Sequence, residues 1–165
     1  MGTYFVFNST IKSTDWLDCM IKLCMIMQPK KKLFLIDDDA IVCYLTKLEI
    51  KESFPEIEVT NFENAEEALT LLTVLSSSNH NNFPDFILLD INMPTIDGWD
   101  FLIAYEKFPI TKKASCKLMM YSSSIDTLEV TKAKTFASVV DYIQKPITKA
   151  AITAVMNGEI NCPYF

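Results

Sequence analysis

From Lys31 onward, short runs of consecutive apolar residues alternate with stretches whose apolar residues recur every three or four positions. Leu33-Phe34-Leu35-Ile36 has no polar interruption, the pattern of a strand buried on both faces. Ile41, Tyr44, Leu45 and Leu48 then recur at helical spacing. Glu58 to Phe62 predicts a second strand. Asn64 with Glu67 has the form of a capping box, and Ala65, Ala68, Leu69 and Leu72 follow on one helical face. Ser76 to Asn82 is a polar tract that predicts an exposed loop. Phe86 to Leu89, Lys117 to Tyr121 and Val139 to Ile143 predict three more strands. Between them, one helical pattern starts near Asp97 or Gly98 and stops before Pro109, and another runs from Asp126 to Phe136. A short helix follows Pro146. Five rounds of strand then helix predict an α/β fold, a doubly wound five-stranded parallel sheet with helices on both faces.

Ligands of such sheets bind beyond the carboxyl ends of the strands. The first strand ends in Asp37-Asp38-Asp39 and the third in Asp90, followed by Ile91-Asn92-Met93-Pro94. The fourth ends in Ser122-Ser123-Ser124 and the fifth in Lys145-Pro146. Taken singly these residues are ordinary. An aspartate at a strand end is often a helix N-cap, and Asp39 and Asp97 fit that role. As a set they bring three or more carboxylates, a hydroxyl and an ammonium to one edge. Clustered carboxylates repel, so the set needs a cation, and a hard divalent ion such as magnesium suits oxygen ligands. With a fixed lysine added, the edge can neutralise a phosphoryl group from two sides, and a carboxylate can be the nucleophile.

Composition narrows the function. The 165 residues are half apolar, which suits one domain with a sizeable core. A net charge of −6 offers no basic footprint for nucleic acid. Five cysteines, Cys19, Cys24, Cys43, Cys116 and Cys162, show no zinc spacing, and the single histidine, His80, has no ligand company. Reduced thiols in a cytoplasmic protein are the expectation. No stretch reaches the about 18 apolar residues of a membrane span. Trp16 to Met27 comes nearest, but Asp18 and Lys22 interrupt it.

Asp37-Asp38, the run Asp90-Ile91-Asn92-Met93-Pro94 with Asp97-Gly98, Ser122, and Tyr142 with Lys145-Pro146 resemble the receiver domain of bacterial response regulators. The resemblance covers about Lys32 to Met156 and is to single-domain, chemotaxis-type receivers. It implies a flavodoxin-like sheet of order 2-1-3-4-5. It implies that Asp90 is the phosphoacceptor and that Mg2+, with Mn2+ as a substitute, is held by Asp38, Asp90 and the backbone carbonyl of Asn92. Asp37 would act through water or by orienting. Ser122 and Lys145 would stabilise the phosphoryl group, the Lys145–Pro146 peptide would be cis, and Tyr142 would be the switch aromatic. The implied donor is the phosphohistidine of a sensor histidine kinase or a histidine phosphotransfer protein. A new dianion on Asp90 would draw Ser122 inward, Tyr142 would fill the space, and the surface of the fourth helix, fifth strand and fifth helix would change for a downstream protein. The chain would catalyse only its own phosphorylation and dephosphorylation. Asn92 and Ser124 stand where the family tunes water access to the acyl phosphate. Glycine is usual where this chain has Ser138 and Asp141, which predicts altered turn geometry on the output face.

Residues 1–29 fall outside the resemblance and read as an extension, with Met27 a second candidate start. If the extension is genuine, Trp16 to Met27 reads as an amphipathic helix that docks on the domain, a partner or a membrane surface. Residues 30–158 form the receiver and 159–165 a short tail. Only about one helix follows Lys145, so the expected output is contact with another protein or onward relay. Two rival readings stand beside this one. The first is a phosphorylation-independent, receiver-like binding module. The second is an aspartate-nucleophile phosphatase of the haloacid dehalogenase type, to which Asp37-Asp38-Asp39 offers an Asp-x-Asp but which leaves Asp90-Ile91-Asn92-Met93-Pro94 unexplained.

Overall fold

The apolar runs at the middle of the sheet become strands because they are sandwiched between helices and have nothing polar to solvate, while the outer strands keep polar residues such as Glu58, Thr60 and Asp141. The strands are β1 (Lys31–Ile36), β2 (Ile57–Phe62), β3 (Phe86–Asp90), β4 (Lys117–Ser122) and β5 (Val139–Gln144). All pairs are parallel and the order across the sheet is β2-β1-β3-β4-β5. The five residues of β3, at the centre, are all buried, whereas edge strand β2 alternates. The computed structural model describes residues 30–78, 82–124, 126–157 and 159. The expectations for Trp16 to Met27, for Met27 as a start, for His80 and for the last residues lie outside these, as do Cys19, Cys24 and Cys162.

The helices are α1 (Ala40–Ser53), α2 (Ala65–Ser77), α3 (Gly98–Tyr105), α4 (Ile110–Ala114), α5 (Thr127–Ala133) and α6 (Lys149–Asn157). Residues of α1 and α6 pack with Leu33, Leu35, Phe86, Leu88 and Tyr121 on one face of the sheet. Residues of α2, α3 and α5 pack with Phe34, Ile36, Ile87, Leu89 and Met120 on the other. The sheet is therefore covered on both sides, as strand-helix alternation demands. Cys43 and Cys116 are buried free thiols.

Four details depart from the pattern along the chain. The apolar recurrence that marks α1 is not its buried face: Ile41, Tyr44, Leu45 and Leu48 are 71%, 67%, 52% and 43% exposed, while Cys43, Thr46 and Ile50 face the core. Ser76 and Ser77 belong to α2 rather than to a loop, because their hydroxyls donate back to the Thr73 carbonyl. The short α4 begins after Pro109 and adds a sixth helix. Between β4 and β5 the register jumps from Leu118↔Val139 to Met119↔Asp141, so Val140 is an extra, bulged residue. The turn before β5 has no left-handed residue, since Thr95, at φ 69°, is the sole non-glycine with positive φ among the described residues. Ser138 is held there by Glu106, whose Oε1 accepts both its N–H at 3.0 Å and its hydroxyl at 2.8 Å.

Candidate functional site

The strand ends converge as the alternation requires. Asp37 follows β1 directly and is wholly buried, with its N–H donating to the Phe62 carbonyl at 3.0 Å. Asp90 is the last residue of β3 and is 5% exposed. Asp38, between Asp37 and the start of α1, faces solvent. Carboxylate oxygens of Asp37, Asp38 and Asp90 all lie within 4.8 Å of one another. Asp39 does not join them: its Oδ1 caps α1, accepting from the Ile41 and Val42 N–H groups at 2.8 and 3.1 Å. Asp97 likewise caps α3 through the Asp100 N–H at 2.8 Å.

Lys145, just beyond β5, binds the two buried carboxylates together. Its Nζ is 2.7 Å from Asp37 Oδ2 and 3.0 Å from Asp90 Oδ1. Burial alone would lower its pKa, but the hydrogen bonds and charges of Asp37 and Asp90 outweigh burial and hold it above the ordinary lysine value. Asp37 moves the other way from a normal carboxylate. Burial raises it, and the contacts from Lys145 and the Asp39 N–H pull it back only in part. Apart from the lysine, Asp37 Oδ2 has no hydrogen-bond partner among the described residues. A buried anionic oxygen left in that condition, beside two further carboxylates, suits a hard divalent cation. The Lys145–Pro146 peptide is cis. Ile147, next along, donates its N–H to the Tyr121 hydroxyl at 3.2 Å, and that hydroxyl pairs with Thr46 Oγ1 at 2.8 Å. The lysine's loop is thus tied to β4 and α1.

Asp90 Oδ1 also accepts from the Ile91 N–H at 2.8 Å. Both the Lys145 and the Ile91 contacts fall on this one oxygen. Ser122 is wholly buried at the end of β4, and its Oγ accepts from the Ser124 N–H at 3.1 Å, so its own proton remains to donate. Asn92 is exposed in the loop after β3. Gly98 packs against the far side of that loop: a Cβ there would stand 2.3 Å from the Asp90 carbonyl oxygen. Tyr142 is buried on the α5 side of the sheet, with its hydroxyl 3.0 Å from both the Ser124 carbonyl oxygen and Glu129 Oε2. The structure therefore brings Asp37, Asp38, Asp90 and Lys145 together, sets Ser122 on the adjoining strand, and places Tyr142 one strand further out. Sequence reasoning missed Glu129 and the Thr46–Tyr121 pair. Glu129 carries a signal, three residues after a capping aspartate, whereas Thr46 and Tyr121 carry none.

Comparison with known proteins agrees with this geometry. The family model described as the response regulator receiver domain matches residues 33–157. The protein-glutamate methylesterase/protein-glutamine glutaminase 1 of Burkholderia pseudomallei (strain 1710b) is 32% identical over 121 residues, 73% of this chain and 30% of that protein. The chain thus spans under a third of that relative's length. Among solved structures, a two-component response regulator from Cytophaga hutchinsonii superimposes with a TM-score of 0.71 at 28% identity, covering 79% of this chain and 96% of that one. The chemotaxis protein CheY4 of Vibrio cholerae, with a TM-score of 0.61 at 16% identity over 77% of this chain and 96% of its own, shares the fold. With strand order, carboxylate cluster, lysine and family match in agreement, the chain belongs to the response regulator receiver domain family.

Proposed function

We propose that the chain is a signalling switch in which Asp90 accepts a phosphoryl group from the phosphohistidine of a sensor histidine kinase or a histidine phosphotransfer protein. The observation that carries the reading is the bridging of Asp37 and Asp90 by Lys145 at 2.7 and 3.0 Å, beside Asp38. In the transfer, Asp90 Oδ2 forms the new bond to phosphorus and the bond from phosphorus to the histidine nitrogen breaks. Lys145 pairs with an equatorial phosphoryl oxygen, and the Ser122 hydroxyl turns its proton toward another. Asp37, Asp38, Asp90 and the Asn92 carbonyl would hold magnesium, which would neutralise charge on the carboxylates and the phosphoryl oxygens. Contact with a downstream protein or onward relay then follows from the changed charge at the strand ends. The chemistry these residues support is the receiver's own phosphorylation and dephosphorylation.

The exposed stripe on α1 supports a protein donor. Ile41, Tyr44, Leu45 and Leu48 present an apolar face within one to three turns of Asp38, where a helix bearing the histidine would seat itself. The phosphatase reading has less to support it, because Asp39 Oδ1 is engaged in the α1 cap, whereas Asp37, Asp38, Asp90 and Lys145 gather at one place. The test is transfer of radiolabel from a phosphorylated histidine phosphotransfer protein. Label should move to the wild type and not to Asp90→Asn. Equal labelling of the two would remove Asp90 from the mechanism.

A further inference from the structure

The start of α5 reads as a capping box, with Asp126 at the N-cap and Glu129 three residues on. In that motif the glutamate folds back to accept the N–H of the cap residue. Here the Asp126 N–H donates to Ser124 Oγ at 3.1 Å instead, while Asp126 Oδ1 accepts from the Leu128 N–H at 2.9 Å. The carboxylate of Glu129 is thereby left for another partner, and Oε2 accepts the Tyr142 hydroxyl at 3.0 Å. The Ser124 carbonyl oxygen lies 3.0 Å from the same hydroxyl. A phenol has one proton and both partners are acceptors, so the two compete, and the half-buried carboxylate is the stronger. Glu129 reaches the Tyr142 hydroxyl directly, whereas Ser122 meets this network only through the Ser124 N–H, which its Oγ accepts at 3.1 Å. The bulge at Val140 lies two residues before Tyr142.

We propose that Glu129 is a positioning residue that latches the Tyr142 ring in its buried place independently of Asp90. The proposal rests on the reading of Tyr142 as the switch aromatic and goes beyond it by assigning the side chain that sets the switch. Its consequence is a default output surface. The α5–β5 edge presents the ring-in surface before Asp90 is modified, and a partner that needs the ring outward must break a charge-assisted hydrogen bond. Phosphorylation then adds to an existing bias rather than creating one.

The test uses the full chain labelled with 3-fluorotyrosine, the Tyr142 fluorine signal being the one lost in Tyr142→Phe. Broadening by a soluble nitroxide reads exposure of the ring. Without any phosphoryl donor the wild-type signal should be protected. Glu129→Ala should lower the ratio of buried to exposed ring about tenfold, the effect of losing one hydrogen bond to a charged group. Glu129→Gln, whose amide oxygen still accepts, should lower it less. In urea titrations, Glu129→Ala and Tyr142→Phe should be non-additive, which the mere loss of an acid from the first helical turn would not produce. A protected signal in Glu129→Ala, or an exposed one in the wild type, overturns the latch. Beryllofluoride with magnesium is then added to the wild type. If it shifts no fluorine signal, the phosphoryl-linked reading of the site fails, while the comparison of variants still decides the latch.

Discussion

Gly98→Ala tests how the strand end that carries Asp90 is held. A Cβ at this position would sit 2.3 Å from the Asp90 carbonyl oxygen, 2.9 Å from Ile91 Cα and 3.1 Å from Asp90 C. Ordinary contact begins near 3.4 Å, so the backbone at Asp90 must retreat by about 1 Å. No flexible side chain is available to yield in its place. The Gly98 N–H donates to the Ile91 carbonyl at 2.9 Å, and the same movement stretches that bond. Overpacking against fixed atoms costs about 1–3 kcal/mol and a weakened hydrogen bond about 1 kcal/mol. Alanine's better helix propensity returns less than about 1 kcal/mol at the first residue of α3. The net loss expected is about 2–3 kcal/mol, which lowers the urea midpoint by roughly 1–2 M. Asp90 also shifts against Lys145, and a misplacement of about 1 Å can cost on the order of a hundredfold in rate. Urea unfolding followed by circular dichroism, with the rate of phosphorylation by acetyl phosphate, measures both. A variant within about 0.5 kcal/mol of wild type and phosphorylated at the wild-type rate would refute the reasoning.

Three further outcomes follow from the same geometry. Because burial raises the folded pKa of Asp37, its contribution to stability is present below 3.8 and is lost as pH rises through the folded value; Asp37→Asn should therefore be more stable than wild type at pH 7 by about 1 kcal/mol in urea titrations, with the gap closing in acid. Tyr121→Phe leaves the Ile147 N–H and the Thr46 hydroxyl without their partner in a buried place, so thermal unfolding should report a loss of about 1–3 kcal/mol. Leu45→Glu places a charge in the exposed α1 stripe and should slow transfer from a phosphohistidine protein about tenfold or more while leaving labelling by acetyl phosphate unchanged.

The central strands were legible because burial on both faces removes polar residues from their middles, as in Phe86 to Leu89, whereas β2 and β5 keep Thr60 and Asp141. The site was legible for a related reason: its carboxylates, hydroxyl and lysine each follow directly on such a run. The orientation of α1 was not. Periodicity announces a helix and says nothing of which face is buried when both faces are apolar. Here the buried face includes Thr46, whose hydroxyl is satisfied by Tyr121 from a strand 75 residues away. Serines at 76 and 77 look like a loop until their hydroxyls are seen to bind the last turn of α2. Thr95, at φ 69°, occupies a conformation that favours glycine, and nothing in its neighbours announces it. Ser138 replaces a usual glycine without strain because the turn keeps ordinary backbone angles and Glu106 holds it. The expected change of turn geometry is therefore not seen at Ser138; the irregularity nearby is the Val140 bulge within the β4–β5 pairing.

The central claim is that Asp90 forms an acyl phosphate in a magnesium-dependent reaction at these strand ends. Intact mass after incubation with magnesium and acetyl phosphate tests it most directly, with Asp90→Asn and a chelator as controls. A gain of one phosphoryl group is expected in the wild type, abolished by the substitution and by removal of magnesium. An unchanged wild-type mass, or an equal gain in Asp90→Asn, would contradict it.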